Sequence, residues 1–179
     1  MSKKSLVWLC TIGVLLIAGC RGGGKTELGD DTLTDPDLEE RINDYLAEHI
    51  AIIGFGGKPY CAYEMLNADQ GKGGNLYIWA LCQEYTLDGG SLRDGSGISL
   101  PVALQIQQDN QPIEIMGHLV PRDGSYYGPD VRSIFPRSTW PQIMSANQED
   151  IGLYNYRANE LMKATRMKAR LDAELESED

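Results

Sequence analysis

Two stretches rich in Tyr, Ile, Leu and Trp, Lys58 to Leu66 and Asn75 to Leu87, flank the run Asn67-Ala68-Asp69-Gln70-Gly71-Lys72-Gly73-Gly74. A dense cluster of turn formers between two strand-like segments predicts a β-hairpin. One register stands out, because it sets Cys61 opposite Cys82. Opposed residues of an antiparallel pair have Cα atoms about 4.5 or 5.5 Å apart, and a disulfide tolerates that range. A slip of one residue would send the two sulfurs to opposite faces. The hairpin and a Cys61–Cys82 bridge therefore support each other, with two buried free thiols as the alternative.

A second hairpin follows. From Ile98 to Gln108 apolar Ile98, Leu100, Val102, Leu104 and Ile106 alternate with Ser99, Pro101, Ala103, Gln105 and Gln107, the pattern of a half-buried strand. Pro101 lacks a backbone donor and belongs at a strand start, an edge or a bulge. Asp109-Asn110 is a candidate turn. The returning strand, Pro112 to Val120, then sets Ile106 against Ile113, Leu104 against Ile115 and Leu100 against Leu119. Between the hairpins, Asp88 to Gly97 (DGGSLRDGSG) reads as a solvated loop. Its Asp88 and Asp94 lack the spacing and terminal Glu of a calcium loop.

Helices are predicted at both ends of this pattern. Asp35 can cap and Pro36 can open a helix. Leu38, Ile42, Leu46 and Ile50, with Tyr45 and Ile53, then form one apolar face that ends at Gly54. Gly54-Phe55-Gly56-Gly57 lacks the frame of a phosphate-binding loop and reads as a turn. Asp130 to Ile134 is a short helix stopped before Pro136. Ser145-Ala146-Asn147-Gln148 suits a capping box for a long helix from about Ala146 to Leu175. One stripe of that helix is Tyr154, Ala158, Leu161, Thr165; a second, drifting one is Ala164, Met167, Leu171, Leu175. Lys163, Arg166, Lys168 and Arg170 precede acidic Asp172, Glu174, Glu176, Glu178 and Asp179, which suits a solvated helix with local ion pairs.

The N-terminus speaks to location. Lys3 and Lys4 precede the thirteen apolar-rich residues Leu6 to Ala18, and Leu16-Ile17-Ala18-Gly19-Cys20 closes the run. A bilayer-spanning helix needs ~20 apolar residues, so this segment suits a secretory leader instead. The pattern resembles the lipobox of bacterial lipoproteins. That resemblance implies a diacylglycerol on the Cys20 thiol, cleavage before Cys20, and a body anchored by lipid outside the cytoplasm. Each buried methylene adds about 0.8 kcal/mol of membrane affinity, and two or more chains anchor stably. Arg21 takes the place of the Asp that retains such proteins at the inner membrane, which implies the outer membrane in a Gram-negative cell. Arg21 to Thr34, RGGGKTELGDDTLT, has a tether's composition.

The resulting organisation is 1–19 signal peptide, 20–34 tether, 35–140 an α+β domain, and 141–179 a C-terminal helix with an acidic tail. Apolar content of 42% allows an ordinary core. The net charge is −10; losing Lys3 and Lys4 with the leader, while all twenty-six acidic residues stay, leaves −12. Such a surface repels nucleic acid and anionic headgroups. With Cys10 lost and Cys20 lipidated, only Cys61 and Cys82 remain, in a compartment where disulfides persist.

Tyr60-Cys61-Ala62-Tyr63, Trp79-Ala80-Leu81-Cys82-Gln83-Glu84-Tyr85 and the run PRDGSYYGPDVRSIFP from Pro121 together resemble an uncharacterised domain of bacterial secreted proteins, over residues 58–136. That implies location and fold, with no chemistry attached. A helix across a four-stranded antiparallel meander is similar to cystatin-like and NTF2-like folds, with a long C-terminal helix added; fold alone does not fix function.

Candidate chemistry is sparse. The two histidines, His49 and His118, could join Glu64 or Asp123 as an acid–base pair, and Cys61 or Cys82 could be a nucleophile only if unbridged. No H-x-x-x-H, C-x-x-C or G-x-S-x-G occurs. No catalytic set, metal or cofactor is expected. The best binding candidates are Arg122, Asp123, Tyr126, Tyr127 and Asp130, with Arg132 nearby, since Tyr and Arg anchor interfaces; a local Arg122–Asp123 ion pair, tyrosines covering the sheet's end and turn chemistry explain the same residues. The reading is a lipid-anchored, non-catalytic envelope protein that binds another protein or a polymer. The alternative is a ligand-binding or enzymatic module using His118 and Glu64 on the sheet face.

Overall fold

The computed structural model describes residues 36–66, 74–107, 112–144 and 148–177. The Asp35 cap, Cys20 and its tether, the turn cluster 67–73, the Asp109-Asn110 turn and residues 145–147 of the capping box lie outside the described residues. The elements are α1 (Pro36–His49), β1 (Lys58–Met65), β2 (Asn75–Asp88), β3 (Ser91–Gln107), β4 (Glu114–Leu119), α2 (Tyr127–Ile134), α3 (Trp140–Ile143) and α4 (Gln148–Glu176). The strands form one antiparallel sheet in sequence order. This is the expected α+β architecture, a helix on a four-stranded meander followed by a long C-terminal helix.

Helices cover both faces of the sheet. On one side Leu38, Ile42 and Leu46 of α1, with Ile50 just past its end, pack on Cys61, Ile78, Ala80, Cys82, Val102 and Leu104. On the other, Ala62, Tyr77, Trp79, Leu81 and Ala103 meet Val131, Ile143 and Leu161 from α2, α3 and α4, and Phe135 just past the end of α2. The two sets alternate along each strand, as period-two side chains must. Strand β2 lies between both layers and is buried without a break from Leu76 to Tyr85. Helix α4 thus packs on the sheet, through Leu161, Thr165 and Ala169.

The first hairpin has the expected register. Cys61 pairs with Cys82 and the two are joined by a disulfide, with Cα atoms 4.1 Å apart. So short a separation marks a non-hydrogen-bonded pair, which turns the Cys61 carbonyl to the free edge of β1. Lys168 of α4 caps it, Nζ donating to the Cys61 oxygen at 2.9 Å. Pro59, two residues earlier, offers no donor on that edge. A lysine and a proline together blunt the edge against pairing with another strand.

Three expectations need correcting. Residues 88–97 are not a loop: only Gly89 and Gly90, with φ of 57° and 79°, turn the chain, and β3 starts at Ser91 opposite Asp88. Two consecutive positive φ values are what a tight hairpin turn demands, and strand pairing overrides the loop-like composition. The β3–β4 register also differs. Ile106 faces Ile115, two residues further along than expected, which keeps its face; Met116 is then an extra residue between Ile115 and Gly117, so Leu104 faces His118. A bulge of one residue exchanges the faces of everything beyond it. His118 therefore faces the α1 layer, and Leu119 is exposed. Finally, α1 stops at His49 and not at Gly54; Ile53 leaves the apolar face and is exposed. The cause lies in Glu84, described below. Pro101 sits as expected at a place without a second neighbour, since β4 ends opposite Ala103.

Candidate functional site

A buried carboxylate organises one end of the molecule. Glu84 lies within β2 and is 1% exposed. Burying an unpaired carboxylate is prohibitive, and here four backbone amides converge on it. Gly54 and Ser96 donate to Oε2 at 3.0 and 2.9 Å; Phe55 and Gly57 donate to Oε1 at 2.9 and 2.7 Å. Burial pushes the Glu84 carboxyl up, but the amides of Gly54, Ser96, Gly57 and Phe55 outweigh it and hold it at about 2. The chain after α1 bends to deliver these amides, so the helix ends early. Ser96 comes from a β2–β3 bulge in which Glu84 opposes Gly95 and Ser96. Gln83 secures the same bulge, Nε2 donating to the Gly95 carbonyl at 3.0 Å. The approach is close: a Cβ on Gly57 would lie 2.4 Å from the Tyr85 oxygen, and one on Gly95 2.7 Å from the Glu84 carboxylate. The glycine run is thus an anion cradle, filled by the protein's own side chain.

This cradle fixes an apolar protrusion. Phe55 is 73% exposed, and Ile52 and Ile53 beside it are also exposed. Leu87, near the β2–β3 turn, is exposed as well. Two open clefts, of about 520 and 570 Å³, share Leu87, Leu92 and Ala173 and lie between the β2–β3 tip and the last turns of α4. Lys58 and Tyr60 line the first and both bond the Asp172 carboxylate. Arg166 and Arg170 line the second, and Arg166 is paired with Asp94. The sequence reading missed this end. Its signal was an acidic residue inside the apolar stretch Ala80 to Leu87, which must find donors, near a glycine run rich in them.

Both histidines meet on the α1 side. Tyr45 Oη lies 2.9 Å from His118 Nδ1, the His49 and His118 ring centroids are 6.5 Å apart, and Glu48 lies 3.8 Å from His49 Nε2. Burial, and then the His49 ring, hold His118 below the ordinary histidine value. As pH falls past the ordinary 6.5, the unfolded chain takes up a proton that the folded chain resists. Stability present above that pH is then lost as pH approaches the folded value. Thermal melts at pH 7.5 and 5.5 are expected to differ, and His118→Gln is expected to narrow the difference. An unchanged gap would mean that His118 is not its source.

The other anticipated residues fall into separate places. Glu64 is on the opposite face from His118, where Arg157 of α4 donates to it from Nε at 2.9 Å. The Arg157 guanidinium is buried over the Trp79 ring, 5.2 Å from its centroid. The structure does not bring Glu64 and His118 together. Arg122 and Asp130 form a forked ion pair, with Nε–Oδ2 at 2.8 Å and Nη2–Oδ1 at 2.9 Å, and the Arg122 amide also donates to Asp130. Hydrogen bonds from Arg122 hold the Asp130 carboxyl at about 2. Arg122 stacks on exposed Tyr126 at 4.3 Å, Tyr127 packs against the core, and Asp123 and Arg132 are exposed. This group is an ion-paired corner carrying one exposed aromatic. Among the described residues, no three His, Cys, Asp or Glu side chains are grouped as a metal would need, and no helix is long and apolar enough to cross a membrane.

Comparison with protein-family models, curated proteins and solved structures found no match.

Proposed function

We propose that this is a lipid-anchored protein of the cell envelope, held outside the cytoplasm through Cys20, whose folded body is a non-catalytic module that binds another envelope protein. The basic start, short apolar run and Leu16-to-Cys20 sequence support the anchor. A disulfide between the two remaining cysteines suits an oxidising compartment. With Arg21 after Cys20, the outer membrane is the destination in a cell that has one.

The observation that carries the binding reading is Phe55. A large apolar side chain, exposed with Ile52 and Ile53, sits on a loop whose neighbouring amides are held by a buried carboxylate. A rigid apolar protrusion loses little freedom on docking, and an exposed apolar patch suits a protein surface. It also lies at the far end of α1 from the tether. Fourteen helical residues at 1.5 Å each separate the two by roughly 20 Å, so the tether and the binding end need not compete.

Two measurements test this reading. Detergent-phase partitioning of the full chain is expected to move to the aqueous phase on Cys20→Ser; a variant that stays in the detergent phase ends the anchor proposal. A photoreactive residue at position 55, in the full chain in native membranes, is expected to link one discrete protein. Competition by an excess of unmodified chain should abolish the link, and competition by Phe55→Ser should not. If Phe55→Ser competes equally well, the protrusion is not the binding element.

A further inference from the structure

Helix α4 shows a second apolar line on the side away from the sheet. Met167, Leu171 and Leu175 are 65%, 56% and 66% exposed, whereas Leu161, Thr165 and Ala169 are buried. A spacing of four residues places the exposed three on one i±4n ridge, the kind of ridge that interdigitates with its like at about −50° in helix packing. The helix lies outermost on its face of the sheet, so a second helix can reach that ridge. We infer that it docks against the same ridge of a second copy of this chain, with the two α4 helices antiparallel across a two-fold axis near Leu171.

The charges select both the partner and its direction. Lys163, Arg166 and Arg170 precede Leu171, and Glu174 and Glu176 follow it. Arg170 and Glu174 are exposed beside the ridge. An antiparallel two-fold arrangement is isologous, so each contact occurs twice. Met167 packs on Leu175 of the second copy, and Arg170 lies beside Glu174 of the second copy. In a parallel pair the two-fold axis would run along the helices, so Arg170 of one copy and Glu174 of the other would fall on opposite flanks and both of these contacts would be lost. An anionic surface would meet Glu174 and Glu176 and be repelled. Three apolar side chains per copy form a small interface, suited to a transient dimer. Two chains held on one membrane would meet at a raised effective concentration. The helix geometry does not depend on that anchoring, nor on the partner proposed for Phe55.

The two-fold axis puts residue 171 next to its own counterpart, and this makes the test direct. Leu171→Cys in the full chain, treated with a mild oxidant, is expected to give a disulfide-linked dimer that the wild-type chain and Ser133→Cys do not give. Ser133 is exposed on α2, away from the ridge. In the Leu171→Cys background, Arg170→Glu places like charges together twice and is expected to lower dimer yield by about tenfold or more. Adding Glu174→Arg restores opposite charges and is expected to recover the yield. Absence of a Leu171→Cys dimer, equal yield from Ser133→Cys, no effect of Arg170→Glu, or no recovery in the double swap would each overturn the inference. So would linkage of Leu171→Cys to a different protein in place of a second copy. Leu171, Arg170 and Glu174 are all exposed, so loss of folding does not confuse the result; circular dichroism of each variant checks it.

Discussion

Glu84→Gln is expected to lower the melting temperature at neutral pH by on the order of 10 °C, given that hydrogen bonds to a charged group are among the strongest single contributions. The substitution barely alters shape. It replaces two accepting oxygens with one, and turns an amide NH₂ toward backbone N–H groups that already need acceptors. The amides of Gly54, Phe55, Gly57 and Ser96 cannot all be satisfied by what remains. Wild-type stability should also depend on acid in a defined window. The folded carboxyl is held at about 2 against an ordinary 4.5. Its contribution is complete above 4.5 and is lost as pH falls from there toward 2. Melts of both chains from pH 7 to pH 2.5 decide the matter. The wild type should converge on the variant in acid, and limited proteolysis should open the variant first between Ile52 and Gly57. Equal melting temperatures at pH 7 would mean that the cradle contributes nothing.

Loss of the disulfide is the second large effect. The bridge closes a sequence separation of 21 residues, for which the chain-entropy account gives about 3 kcal/mol. For a domain of this size that corresponds to a fall of about 6–12 °C. Cys61→Ala with Cys82→Ala is the suitable variant, since both sulfurs lie in the core beneath α1 and a serine hydroxyl would be stranded there. Reductant should bring the wild-type melting temperature down to that of the variant and leave the variant unmoved. If reductant leaves the wild type unchanged, the bridge does not stabilise the fold.

The first hairpin was legible because two independent signals coincide. Turn residues bracket it, and the cysteines permit one register among its neighbours. The second hairpin was legible as two strands but not as a register. Alternation alone suggested Ile106 opposite Ile113; Ile106 instead meets Ile115, a shift of two residues that keeps the face, and an extra residue at Met116 then carries His118 to the α1 side. Nothing local to IEIMGHLV announces a bulge, because its consequence is felt in the layer packed above it. The segment SLRDGSG misled through composition: glycine, serine and aspartate are poor strand formers alone, yet β2 supplies a partner for this stretch, apart from the bulge at Gly95 and Ser96. Arg122 pairs with Asp130 and not, as its neighbourhood suggested, with the adjacent Asp123. His118 and Glu64 do not, since one faces α1 and the other α4.

By itself the sequence determined the class of fold, the cysteine pairing and the side of α1 that is buried. Each rests on a period or spacing between near neighbours, which no distant contact needs to supply. Only the tertiary structure decided where α1 ends, which way His118 faces, and that the glycine run after α1 closes on Glu84. Those outcomes depend on where a buried charge finds its donors, and the donors come from residues about a dozen to thirty positions away along the chain.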